Sequence, residues 1–143
     1  MGCGSFVVEF PYKPVISGTF ERFWKTIAIV RVSHENVSYR CQMLVDSRAD
    51  ISLIPKSAGE YLRLSLEGSP IMELRGLGES VVPYLIKNVQ ITIGSEEINA
   101  KMGWALIKEV PFILGRLDIF DQFHITFDNN ARKVVFRRQD ITH

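Results

Sequence analysis

Met43-Leu44-Val45-Asp46-Ser47-Arg48-Ala49-Asp50-Ile51-Ser52-Leu53-Ile54-Pro55 decides how this chain is read. An apolar strand runs into Asp46 and Ser47, Arg48 follows, and a second apolar run stops at Pro55. A carboxylate at the end of a buried strand costs free energy unless it is paired or put to use. Taken alone, the stretch has a plainer meaning as a β-turn, because Asp and Ser hydrogen-bond their own backbone. The surrounding sequence separates the two meanings.

Immediately upstream, residues 26–32 (TIAIVRV) are rich in β-branched side chains and read as a strand. His34-Glu35-Asn36 makes a polar turn, and residues 37–45 return as the second arm of a hairpin. Tyr39, Cys41 and Met43 alternate with Ser38, Arg40 and Gln42, so one face is buried until Leu44-Val45, where both faces are apolar. The strand plunges inward just before Asp46. Downstream, residues 57–66 admit a short helical turn that Gly59 weakens. Residues 71–75 and 80–86 are strands around Gly76-Leu77-Gly78, a glycine-tipped hairpin. Residues 89–93 and 98–107 form another pair around the turn at Gly94-Ser95-Glu96-Glu97.

Residues 111–114 are a short buried strand ending at Gly115-Arg116. In residues 117–123, Phe120 and Phe123 stand three apart beside Ile119, which predicts a short amphipathic helix near the C-terminus. Residues 124–127 and 133–136 are a last hairpin around Asp128-Asn129-Asn130. Residues 6–10 form a strand that Pro11 and Pro14 end, so residues 1–25 are an N-terminal arm or an edge strand and residues 26–143 the domain. Many short strands and one helix predict a closed or sandwich-like all-β domain.

Composition narrows the function. A chain of 143 residues is about one domain, and its net charge of +1 argues against nucleic acid or an anionic membrane as the main partner. Arg137-Arg138 is a basic pair that reads as a solvated end. Cys3 and Cys41 have no metal-ligand spacing and make no disulfide framework, which predicts free thiols in a reducing, cytoplasmic compartment. His34, His124 and His143 are scattered, so neither zinc nor another metal or cofactor is expected. No apolar run approaches the ~18–20 residues that cross a bilayer, and no secretory signal is read at the start. Met1-Gly2-Cys3 departs from an acylation signal, which wants Ser or Thr where Phe6 stands. Ser47 is outside any Gly-x-Ser-x-Gly nucleophile pattern.

Three features remain to be explained together: a strand ending in Asp46-Ser47, a glycine-tipped hairpin some way on, and an apolar strand running into Gly115-Arg116. This combination resembles the retroviral-type (retropepsin-like) aspartic proteases, including their bacterial and archaeal members. In that family a strand delivers an Asp-Thr/Ser-Gly-Ala/Ser loop, a glycine-tipped hairpin is the flap, and an apolar-apolar-Gly-Arg/Asn segment leads into a helix. Here the loop is VDSRAD (45–50), the flap MELRGLGESVVPY (72–84) and the third segment FILGRLDIF (112–120). The apolar-Asp-Ser element occurs once.

The resemblance implies a closed β-barrel with one short C-terminal helix, and an aspartic endopeptidase acting on polypeptides. Such hydrolysis uses two carboxylates sharing one proton, one activating water and the other protonating the carbonyl oxygen. Carboxylates ~3 Å apart do not both ionise. With a single Asp-Ser loop, the site needs two chains, so the resemblance implies a homodimer with Asp46 from each subunit across the two-fold axis. It further implies that Ser47 bonds across that axis and that Asp50 and Arg116 pair to hold the loop. Gly76, Leu77 and Gly78 become the flap tip over an extended peptide bound in β-strand fashion.

Arg48 departs from the pattern, which has glycine at that position. Glycine lets the loop backbone approach substrate and partner loop without a Cβ in the way. Arginine adds bulk and a fixed positive charge beside the carboxylates, which works against a shared proton. The alternative function is a catalytically impaired domain of this fold that binds peptides or dimerises.

Overall fold

The computed structural model describes residues 6–16, 22–75 and 80–138. Along them run β1 (Phe6–Pro11), β2 (Lys13–Ile16), β3 (Arg22–Lys25), β4 (Ile27–His34), β5 (Val37–Val45) and β6 (Leu53–Ile54). Helix α1 (Lys56–Tyr61) follows, then β7 (Met72–Arg75), β8 (Val81–Ile93), β9 (Glu96–Ala105), β10 (Ile113–Leu114), β11 (His124–Asp128) and β12 (Lys133–Arg138).

The alternation read from the sequence sets the faces of the main hairpin. On β4, Ala28, Val30 and Val32 point inward while Ile29 and Arg31 point out. On β5, Cys41, Met43 and Val45 are buried opposite exposed Arg40 and Gln42. The register runs from Ile27↔Leu44 to His34↔Val37. A one-residue slip would turn every apolar side chain outward, so burial fixes the pairing.

The main sheet closes on itself. Its order is β4-β5-β10-β6-β9-β8, and β8 returns to β4 through Val30↔Ile93, Arg31↔Thr92, Val32↔Ile91 and Ser33↔Gln90. The long strand β8 serves two neighbours on one edge: β4 at its end and β7 at its start, the latter from Met72↔Tyr84 to Arg75↔Val81. Two-residue strands β6 and β10 fit between β5 and β9, with β10 parallel to β5 and β6 parallel to β9. Strands covered on both faces read as unbroken apolar runs, and Leu53-Ile54 and Ile113-Leu114 do so.

A second sheet, β1-β12-β11, covers part of the ring, and β2 and β3 form a separate hairpin. β1 is an edge strand of that second sheet, paired with β12 of its own chain from Phe6↔Arg138 to Pro11↔Lys133. Phe136 on β12 is fully buried and takes Phe10 and Phe123 edge-on, with ring centroids 5.7 and 5.8 Å away. With Met43, Ile91, Met102 and Leu114 it belongs to one continuous core. Each such side chain contributes roughly 1.5–3 kcal/mol by leaving water.

The fold is thus mostly β, with a closed sheet, but the expected C-terminal helix is absent. Residues 117–122 form two successive turns instead. Ile119 and Phe120 both donate to the Arg116 carbonyl, and Gln122 and Phe123 both donate to that of Ile119. Within the first of these turns Asp118 has φ +64°, a left-handed conformation that no helix continues through. Its Oδ2 accepts the Lys101 N–H at 2.9 Å, which helps to hold it there. Ile119 and Phe123 are buried and Phe120 is half-buried; the backbone through them is not helical. The described helix is α1, where only a turn was expected. The hairpin tip Gly76-Leu77-Gly78 lies outside the described residues, while its arms β7 and β8 are paired.

Candidate active site

Asp46 stands where β5 leaves the ring. Just before it, Thr26 grips Val45 twice: Val45 N–H donates to the Thr26 carbonyl at 2.8 Å, and Thr26 Oγ1 donates to the Val45 carbonyl at 2.9 Å. The neighbouring strand β10 extends the hold, since Leu44 N–H donates to the Phe112 carbonyl and Asp46 N–H to that of Leu114. Asp46 therefore leaves the sheet with its main chain fixed on both sides.

The loop then turns on the carboxylate itself. Asp46 Oδ1 accepts the Arg48 N–H at 2.9 Å, and the Asp46 carbonyl accepts the Ala49 N–H at 3.3 Å. The first bond is the side-chain-to-backbone turn that makes Asp a turn former. Both meanings of the stretch are thus present: Asp46 makes a turn, and its second carboxylate oxygen takes no hydrogen bond from any described residue. Asp46 is half-buried, while Ser47 and Arg48 are exposed.

The far side of the loop is tied to the segment after β10. The Ala49 carbonyl accepts the Arg116 N–H and the Asp50 carbonyl accepts the Leu117 N–H, each at 2.9 Å. Asp50 and Arg116 thus join loop and segment through main chain. Their side chains are exposed and are not among the ion pairs of the described residues, which are Lys133–Glu9 and Arg138–Glu96. The side-chain pairing implied by the resemblance is not made within this chain.

Gly115 leaves no room for a side chain. A Cβ there would lie 2.3 Å from the Ile51 carbonyl oxygen and 2.9 Å from that of Ala49. Its N–H donates to Ser52 Oγ at 2.9 Å, and Ser52 is fully buried. The Ser52 carbonyl in turn accepts the Gly103 N–H at 2.8 Å, so one residue links the loop to β9 and β10. Sequence reasoning missed Ser52 and Thr26 as supports. For Ser52 the signal was a hydroxyl flanked by the apolar Ile51 and Leu53; Thr26, after Lys25, read only as the first residue of a β-branched run.

Other titratable groups near the core are committed elsewhere. Burial pushes the Cys41 thiol from 9.0 up to about 12, which leaves it un-ionised at neutral pH. His34 Nδ1 is 3.0 Å from the Leu62 carbonyl. Among the described residues no His, Cys, Asp and Glu cluster suits a metal, and no helix is long and apolar enough to cross a membrane. Two surface clefts of about 520 and 580 Å³ are lined by other parts of the chain, and residues 46–50 line neither.

Among solved structures, the chain is similar to a retropepsin-like aspartic protease from Rickettsia conorii, at 16% identity and a TM-score of 0.60 over 94% of each chain. It is also similar to EIAV protease complexed with an inhibitor, at 21% identity and a TM-score of 0.45, over 71% of this chain and 88% of that one. No protein-family model and no curated protein matches it. The fold is that of the retropepsin-like aspartic proteases. The resemblance read from the loop, the hairpin and the Gly-Arg segment holds at the level of fold.

Proposed function

We propose that the chain is a homodimeric aspartic endopeptidase whose two catalytic carboxylates are Asp46 of each subunit. The observation that carries this reading is the setting of Asp46. It is a half-buried carboxylate on a rigid strand end, with one oxygen held by the loop and the other open, within a retropepsin-like fold. Preorganised groups of this kind lower a barrier because they need no rearrangement at the moment of reaction.

In the mechanism, a water lies between the two Asp46 carboxylates, which share one proton. The ionised carboxylate takes a proton from the water as its oxygen attacks the peptide carbonyl carbon, and the protonated one gives its proton to the carbonyl oxygen. Collapse of the tetrahedral species breaks the C–N bond, with a proton passing to the leaving amine. One loop per chain supplies one carboxylate, hence the dimer. Ser47 would bond across the axis, and Gly76, Leu77 and Gly78 would close over the bound polypeptide. No metal or cofactor enters this scheme. The buried free thiol of Cys41 suits a reducing cytoplasmic setting.

The test is cleavage of a mixed peptide library at acidic and neutral pH. Asp46→Asn should abolish it, and cleavage that survives the change would refute the assignment. A second reading is favoured by exposed Arg48 next to Asp46: a domain of the same fold that binds peptides or dimerises without catalysis. It requires an intact chain with no cleavage, and sedimentation of Arg48→Gly beside the unaltered chain separates loss of the dimer from loss of chemistry.

A further inference from the structure

Arg48 is unstrained where the family pattern has glycine. Among the described non-glycine residues, positive φ occurs at Glu35, Arg63, Asp118 and Arg132, and not at Arg48. The backbone at position 48 therefore makes no demand for glycine. Its N–H is held by Asp46 Oδ1 at 2.9 Å, so the backbone from which the arginine side chain departs is held beside the carboxylate.

The guanidinium is exposed and belongs to no ion pair among the described residues, despite Asp46 and Asp50 two positions away on either side. Two other arginines are engaged, Arg138 with its Nη1 3.2 Å from Glu96 and Arg132 sitting 4.1 Å over the Trp24 ring, whereas exposed Arg116, like Arg48, is in no ion pair among the described residues. Arg48 instead presents a permanently charged, planar set of N–H donors whose geometry matches a carboxylate. The group departs from a backbone hydrogen-bonded to the Asp46 carboxylate, across which a polypeptide substrate would lie.

We infer that Arg48 is a specificity-determining residue that selects polypeptides carrying Asp or Glu close to the bond lying over Asp46. The inference rests on the reading of Asp46 as the substrate site. The forked contact attracts a carboxylate side chain and repels Lys or Arg, so charge discriminates in both directions. In a two-fold dimer one Arg48 flanks each side of the bond, so an acidic residue on either side is favoured.

The experiment compares fluorescein-labelled peptides that differ only in Glu against Gln beside the central bond. Their binding is followed by anisotropy on the chain carrying Asp46→Asn, with and without Arg48→Gly or Arg48→Lys. Glu peptides should bind about ten-fold tighter when Arg48 is present, equivalent to about 1.4 kcal/mol. The preference should collapse in Arg48→Gly, survive in part in Arg48→Lys, and fade in about 1 M salt, where screening shortens to a few ångströms. Equal binding of Glu and Gln peptides, an unchanged preference in Arg48→Gly, or no binding of either peptide would overturn the inference. Cleavage of the same peptides by the unaltered chain is the separate readout: cleavage without a Glu preference refutes the role of Arg48 alone, and a Glu preference in binding without any cleavage refutes the endopeptidase.

Discussion

Gly115 donates its main-chain N–H to the hydroxyl of Ser52, 63 residues away in sequence, at 2.9 Å. Ser52 is fully buried, so no water replaces that hydroxyl if it is lost. Ser52→Ala leaves a buried N–H without a partner, which costs about 1–3 kcal/mol. Urea unfolding should show that loss. Because Leu114 beside Gly115 holds the Asp46 N–H, peptide cleavage should fall as well. Unchanged stability would mean that the Ser52 bond contributes nothing net.

Gly59 sets two effects against each other. Alanine is the better helix former by about 1 kcal/mol. A Cβ at position 59, however, would lie 2.1 Å from Trp104 Nε1, and that nitrogen donates to the Lys56 carbonyl at 3.1 Å. Overpacking costs about 1–3 kcal/mol, and the lost hydrogen bond adds to it. The clash should win. Gly59→Ala should melt at a lower temperature and, in a Trp24→Phe background, shift the Trp104 emission to the red. A higher melting temperature would show that Trp104 moves aside freely.

Cys41 makes stability depend on alkaline pH. Burial raises its thiol from 9.0 to about 12. Between those values the unfolded chain releases a proton that the native chain keeps, so the unfolded state binds fewer protons and stability falls as pH rises. The loss is about 1.4 kcal/mol per pH unit once the unfolded thiol is ionised. Lysines and tyrosines titrate here too, so the informative quantity is the stability difference between the unaltered chain and Cys41→Val. Relative to that variant, the unaltered chain should lose stability between about pH 8 and pH 11. A difference constant with pH would contradict the burial of the thiol.

The β4–β5 hairpin was legible because a strand with one buried face alternates with period two, and its last two residues marked where it turned inward. Asp46 stood out for the same reason, as a polar break between apolar runs. Residues 117–123 misled because Ile119 and Phe123 share a buried face at helical spacing, while the backbone is set by left-handed Asp118, which no glycine or proline announces. Closure of the ring through β4 and β8 joins residues far apart in sequence, and such pairing leaves no local pattern. Asp50 and Arg116 were read by their charges, but the structure uses their backbones.

The central claim is that two copies of Asp46 act together. Unaltered chain and Asp46→Asn chain are mixed at fixed total concentration, allowed to exchange subunits, and assayed for peptide cleavage. If both aspartates are needed, an equal mixture retains about one quarter of the activity, because only that share of randomly paired dimers carries two intact sites. Retention of about one half would mean that each chain works alone, and would contradict the shared pair.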